Sequence, residues 1–259
     1  MTLFPSAYNA WMTILELFTF RTMSTTGLIL EDAFPDVQVE PDTIEMPILE
    51  SSIALLKDEQ PIGSFVMITP EAVHTLVERN VHVFMQHGFA DHTQYTDMDY
   101  ANAGVEFVDD FFMLSRMSRT LVKFTPFTDE QIALMKNEQV IFSTQFPSQI
   151  SAEQIQKLNE RKVIALAMNL IKEERGMYMT DKILSETWSA AGVNIALSAF
   201  LLPLFEELAE EPRIKFLLQR NPLLMQSAYC YNGFLCNKEI AELLKLPWKD
   251  ITSLCWEVN

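Results

Sequence analysis

The residues of this 259-residue chain best suited to chemistry are few and lie apart. His87 and His92 bracket Gly88-Phe89-Ala90-Asp91, so two imidazoles and a carboxylate share one short stretch. Such a set could hold a divalent cation, but neither the C-x-x-C nor the H-E-x-x-H spacing that presets a coordination shell accompanies it. His74 lies one helical turn from Glu71 and from Glu78, the pattern of a solvated helix face. Asp109-Asp110 precedes an apolar run and suits a helix start, where carboxylates meet the positive end of the dipole. Glu173-Glu174-Arg175-Gly176 reads as a turn without a catalytic partner. Cys230, Cys236 and Cys255 are odd in number and lack close spacing, so they read as reduced thiols of a cytoplasmic protein. These patterns assign no catalytic, cofactor-binding or metal-ligating residue.

The elements that would position such groups are easier to read. Thr69-Pro70-Glu71 predicts a helix start, with Thr69 as cap, Pro70 at the first helical position and Glu71 at the positive end. Ala72, Val73, Leu76 and Val77 form its apolar stripe, and Asn80 closes it. Residues 81–85 predict a buried strand, 97–103 a short helix ending at Gly104, and 105–108 another strand. Further strands are expected at 52–56, 120–124, 140–144 and 163–167, with helices at 109–116, 129–136 and 152–161. Ser151 and Gln154 have the spacing of a capping box. Strands alternating with helices imply a mostly parallel sheet covered on both faces.

Composition bounds the partners. A net charge of −16 argues against nucleic acid and anionic membrane surfaces, which need clustered Lys and Arg. Residues 187–205 form 19 uncharged positions, long enough to raise a membrane span. They contain Gly192, Asn194 and Pro203, and their flanks are Glu186 and Glu206-Glu207 rather than basic anchors, so a helix inside a globular core is expected. Residues 4–20 are apolar but carry Glu16 and lack a basic leader, and Met23 could serve as an alternative start, leaving 1–22 as an extension. Residues 31–48 are acidic and punctuated by proline, so 1–47 reads as an arm and 48–259 as one domain. The 14 Met and 18 Phe fit adaptable packing or a binding surface.

Several blocks, taken in order, resemble the alanine dehydrogenase and transhydrogenase alpha-subunit family. Thr69-Pro70-Glu71-Ala72-Val73 is similar to its T-P-x-x-V, and Asp97-Met98-Asp99-Tyr100 through Ala103-Gly104 to its D-x-D-Y-x-x-A-G. Residues 121–126 resemble L-L-K-V-K-E-P, residues 139–143 resemble G-Q-I-L-F-T, and Leu184-Ser185-Glu186 resembles M-S-E. Residues 196–204 and 229–237 are similar to the returning segments, A-L-T-N-A-x-L-P-Y and N-T-Y-R-G-K-V-T-H. Asn232-Gly233 within the latter is also a two-residue hairpin signal.

The resemblance implies a flavodoxin-like or Rossmann-like α/β substrate domain over roughly residues 50–250. It also implies that a nucleotide-binding domain is missing between Glu186 and Ala196, which would leave a long helical stretch near 182–208, broken near Gly192. The family's substrate arginine then falls on Phe65, its catalytic lysine on Thr125 and its histidine on Phe146, with Lys123 at an earlier lysine. Two aromatic replacements suggest a filled, dry former pocket. The seven glycines contain no G-x-G-x-x-G, so no nicotinamide or other cofactor is expected. The expected function is that of a non-catalytic relative acting through protein contacts, as a homo-oligomer or with a full-length paralogue. A small-molecule sensing module is the alternative reading. An active dehydrogenase borrowing a partner's nucleotide domain ranks last.

Overall fold

The computed structural model describes residues 51–59, 64–173, 175–187 and 189–256. The expected arm, its boundary near residue 47 and the alternative start at Met23 lie outside the described residues.

The strands are β1 (Ser52–Leu55), β2 (His82–Met85), β3 (Glu106–Phe107), β4 (Thr120–Val122), β5 (Val140–Ser143), β6 (Ile164–Ala167), β7 (Ala228–Tyr231) and β8 (Phe234–Leu235). They form one sheet in the order β3-β2-β1-β4-β5-β6-β7-β8. The first six pair in parallel, and β7 and β8 join antiparallel. The chain builds outward from β1 to β3 and then crosses back to lay β4 on the other side of β1. That reversal opens a crevice at the carboxyl ends of β1 and β4, where open α/β sheets place their ligands.

Both faces of the sheet are buried, as a parallel sheet requires. Ile53, Leu55, Val83, Met85, Val122 and Phe142 belong to one core cluster. Their sequence neighbours Ala54, Phe84, Leu121 and Ile141 point to the other face and are buried as well.

The helices are α1 (Pro70–Glu78), α2 (Asp97–Asn102), α3 (Phe111–Met117), α4 (Asp129–Leu134), α5 (Ala152–Glu160), α6 (Met179–Glu186), α7 (Ala190–Glu210), α8 (Ile214–Arg220), α9 (Pro222–Ser227), α10 (Lys238–Leu244) and α11 (Ile251–Trp256). The Ser151–Gln154 capping box is formed at α5, and Thr96–Asp99 and Thr128–Gln131 form two more at α2 and α4. Asp110 rather than Asp109 caps α3. Asn80 follows α1 at φ 63, and Gly104, at φ 95, lies where an added Cβ would stand 2.9 Å from Val77. Asn232 and Gly233, at φ 50 and 81, make the left-handed hairpin turn between β7 and β8.

Three expectations need correction. Thr69 stands at the N-cap of α1, but its side chain caps nothing; its amide donates to Ser198 Oγ at 3.0 Å, and the two hydroxyls lie 3.4 Å apart. A buried partner on α7 competes with the local cap. The helical break lies just before Gly192 rather than at it: α6 ends at Glu186, and α7 begins at Ala190, where Ser189 caps it and accepts from the Gly192 amide. Helix α7 is also not buried all round. Val193, Leu197, Leu201, Leu204 and Phe205 face the core, while Ile195, Ala199 and Pro203 are exposed.

Candidate functional site

Each parallel strand delivers a polar segment to the carboxyl edge. After β1 come Lys57, Asp58 and Glu59; after β4 come Lys123 and Thr125. Asp58 Oδ1 accepts the Thr125 amide at 2.8 Å and its hydroxyl at 2.5 Å. Lys123 Nζ lies 3.3 Å from Glu59 Oε1 and 3.3 Å from Gln131 Oε1. The Lys123 side chain has no exposed surface, whereas that of Glu59 is 60% exposed. An ammonium is thus held under a carboxylate that water still reaches. Both contacts exceed the ~2.8 Å of a tight charge-assisted bond. The crevice between β1 and β4 is laced shut by these links.

The ends of β2 and β3 are tied in a second set. Gln86 Oε1 accepts the Lys57 amide at 3.0 Å, and its Nε2 donates to the Asp109 carbonyl at 2.7 Å. The His87 ring stacks on Phe107 with centroids 4.4 Å apart, and its Nδ1 lies 3.0 Å from both Asp109 oxygens. The His87 amide also donates to Asp109 Oδ1 at 2.9 Å, and this bond is the main cause holding the Asp109 carboxyl below the usual range. A carboxylate-oriented imidazole is half of a proton-transfer device. Here both partners lie in water, at 57% and 67% exposure, which leaves little electrostatic leverage.

The loop singled out by its two histidines is divided among other partners. Asp91 accepts Lys57 Nζ at 2.8 Å, Asp97 takes the Gly88 amide at 3.0 and 3.1 Å, and His92 adopts φ 73. Among the described residues no group of three or more His, Cys, Asp or Glu is placed to hold a metal ion. His74 stays on the solvent side of α1, 3.4 Å from Glu78. Cys230, Cys236 and Cys255 are free and buried, and burial pushes the Cys236 thiol up to about 12. Such thiols are inert rather than nucleophilic.

The three positions taken for a former pocket diverge in environment. Thr125 is spent on Asp58. Phe65 is half-buried against the core, between Ser64 and Val66. Phe146 follows β5 and is 46% exposed. Neither ring is fully buried, and the two do not share one environment. Gln145 is locked by Asn169 through bonds of 2.8 and 3.0 Å, so the residue beside Phe146 is held by the end of β6.

Two polar residues that the sequence reading did not assign hold the Phe65 segment. Asn194, 1% exposed on α7, accepts the Val66 amide at 2.9 Å and donates to the Ser64 carbonyl at 3.1 Å. Ser198 accepts from Thr69 one turn later. The signal was present: polar residues four apart inside an apolar helix must find buried partners. Tyr100 adds a third tie, its hydroxyl donating to the Ile68 carbonyl at 2.7 Å while burial pushes its ionisation far above the usual range.

The family profile described as "Alanine dehydrogenase/PNT, N-terminal domain" matches residues 57–186. The chain belongs to that family. The matched region starts at the Lys57 end of β1 and closes at the last residue of α6. An alanine dehydrogenase/PNT N-terminal domain therefore supplies this carboxyl edge.

Among solved structures, L-alanine dehydrogenase is 21% identical, covers 52% of this chain and 37% of its own, and has a TM-score of 0.46. The transhydrogenase from Sinorhizobium meliloti is 17% identical, covers 52% and 39%, and has a TM-score of 0.44. D-mandelate dehydrogenase from Rhodotorula graminis is 14% identical, covers 59% and 46%, and has a TM-score of 0.32. The chain thus spans less than half the length of each of these enzymes. A search of curated proteins gives no sequence match.

Among the described residues, α6 ends at Glu186 and α7 begins at Ala190, so three residues of sequence join them.

Proposed function

We propose that this alanine dehydrogenase/PNT N-terminal domain is a non-catalytic relative that works through protein contacts, as a homo-oligomer or with a full-length paralogue, in the cytoplasm. The observation that carries the reading is the self-satisfied crevice between β1 and β4. Asp58 is occupied by both donors of Thr125, and Lys123 is covered by Glu59. A substrate site needs donors that converge on empty space and exchange little energy until ligand arrives. Here the polar groups have already chosen one another. Phe65 and Phe146 replace groups that could pair with a carboxylate or move a proton. Buried, unreactive thiols agree with a reducing compartment.

The contact half of the reading rests on a different surface. Ile195 is 60% exposed and Leu184 52% exposed on adjoining helices, with Ala199 and Pro203 open on the same side of α7. Apolar surface gathered on one helix face is more often a contact than an accident.

The test uses the full chain. Titration calorimetry with pyruvate and with NADH is expected to give no heat above dilution. A spectrophotometric assay with alanine and NAD is expected to show no turnover. Measurable oxidation of alanine would overturn the reading.

A further inference from the structure

We infer that Glu59 is an internal ligand: its carboxylate occupies a seat on Lys123 that takes a small monocarboxylate once Glu59 swings away. The inference rests on the reading of a self-closed crevice above and names the ligand class of that site. The seat belongs to the sheet. Lys123 directly follows β4, and its amide donates to the Phe142 carbonyl at 3.0 Å, so β5 holds its backbone. Its side chain has no exposed surface. The plug belongs to the connection after β1. There Lys57, Asp58 and Glu59 each reach a different partner: Asp91 at 2.8 Å, Thr125 at 2.8 and 2.5 Å, and Lys123 at 3.3 Å. Three consecutive side chains thus form a strap across the switch point between β1 and β4.

The third latch is the one built to release. Its contact is the longest of the three, and the Glu59 side chain is 60% exposed while the ammonium beneath it is covered. A carboxylate already in water leaves with little change in its own solvation. The ammonium is less tolerant. Its other acceptor, Gln131 Oε1, also stands at 3.3 Å, is neutral, and already takes the Thr128 amide at 3.0 Å. Without Glu59 the site therefore holds an uncompensated buried cation, which calls for an anion. One ammonium matches one negative charge. A doubly charged phosphate would bring a second desolvated charge with no cation to meet it. The space that Glu59 gives up is that of one short carboxyl-bearing arm, which fits a ligand the size of acetate.

The experiment is chemical rescue in the full chain, read as the thermal midpoint. E59A should melt below wild type. Sodium acetate at about ten times its half-saturating concentration should raise the E59A midpoint by roughly 3–6 °C over sodium chloride of equal ionic strength. Wild type should shift by less than half as much, because the tethered Glu59 competes for the seat. Acetamide, similar in shape but uncharged, should not rescue E59A. Acetate should not act on the double variant E59A/K123M, which has no ammonium to receive it.

Equal shifts in wild type, E59A and E59A/K123M would mark a general salt effect and overturn the inference, as would an E59A midpoint that acetate does not move. Stronger rescue by inorganic phosphate than by acetate would overturn the ligand class. E59Q, which keeps the side-chain volume and removes the charge, carries the same comparison if E59A does not fold. Failure of rescue leaves the non-catalytic reading in place, whereas turnover of alanine by wild type would sink that reading without touching the acetate response of E59A.

Discussion

Replacing Lys123 by methionine should make the protein more stable. The Lys123 side chain is fully buried, yet its two acceptors stand at 3.3 Å and one of them, Glu59, is 60% exposed. Burying an ammonium costs several kcal/mol even after relaxation, and swapping buried ionic groups for apolar ones of similar volume is commonly neutral or stabilising by 1–4 kcal/mol. Here only one ion leaves, and the carboxylate left behind is already in water. The lost bonds are long and should be worth roughly 0.5 kcal/mol each, at the weak end of the usual range. Methionine retains most of the apolar stem and fills the same channel. The expected gain is about 1–2 kcal/mol, at the low end of that range. For a domain of this size that is a rise of about 2–8 °C in Tm.

The companion variant is Glu59→Gln, which keeps the ammonium and removes its charge partner. It should lose about 1 kcal/mol, discounted because Glu59 is exposed. Urea denaturation followed by circular dichroism reads both, with the m-value expected to stay constant. If K123M falls by more than about 1 kcal/mol while E59Q is neutral, the ammonium is not a burden and the solvation argument fails.

Two further outcomes follow from the same edge. Asn194→Leu strands the Val66 amide and the Ser64 carbonyl in the core, so a loss of about 2–5 kcal/mol is expected in denaturant titration; a loss under 1 would show that α7 does not hold this segment. Asp109→Asn should flatten part of the acid limb of the stability curve. The native Asp109 carboxyl titrates below its unfolded value, so its contribution is complete above about pH 4 and disappears as pH falls through the depressed native value. The stability difference between wild type and variant should hold constant above about pH 4 and shrink as pH falls through that window, and a difference that acid leaves unchanged would contradict the assignment.

Local signals were legible in the sequence wherever one segment decides its own structure. Pro70 at a helix start, Asn232-Gly233 at a hairpin and Ser151 with Gln154 at a cap each act within four residues, and all three stand as read. What was not legible depends on partners far along the chain. Thr69 has the residue type of a cap, but Ser198, 129 positions away, takes its amide. Helices α8, α9 and α11 drew no expectation, and none of them opens with a capping box like those of α2, α4 and α5. At the site, the family resemblance implies substitutions at Phe65, Thr125 and Phe146, but not which bonds the neighbouring polar groups make. Asp58 and Glu59 became visible as partners only when β1 and β4 were seen as neighbours across the switch point.

Helix α7 carries the same lesson furthest. Its uncharged run looked uniform in sequence, yet it does two jobs on two faces. Asn194 and Ser198 sit on the buried side, where they hold the crossover from β1 to α1 by its backbone. Ile195, Ala199 and Pro203 sit on the outer side, and nothing in that crossover needs them to be apolar. A helix that only covers a sheet gains solubility from charged residues on its outer face. The absence of charge there over residues 190–205 is therefore a separate constraint from the fold. A crevice closed by its own side chains and an apolar outer ridge are the two features on which the proposed function rests. The two observations point the same way: the polar edge has turned inward, and the helix beside it faces outward.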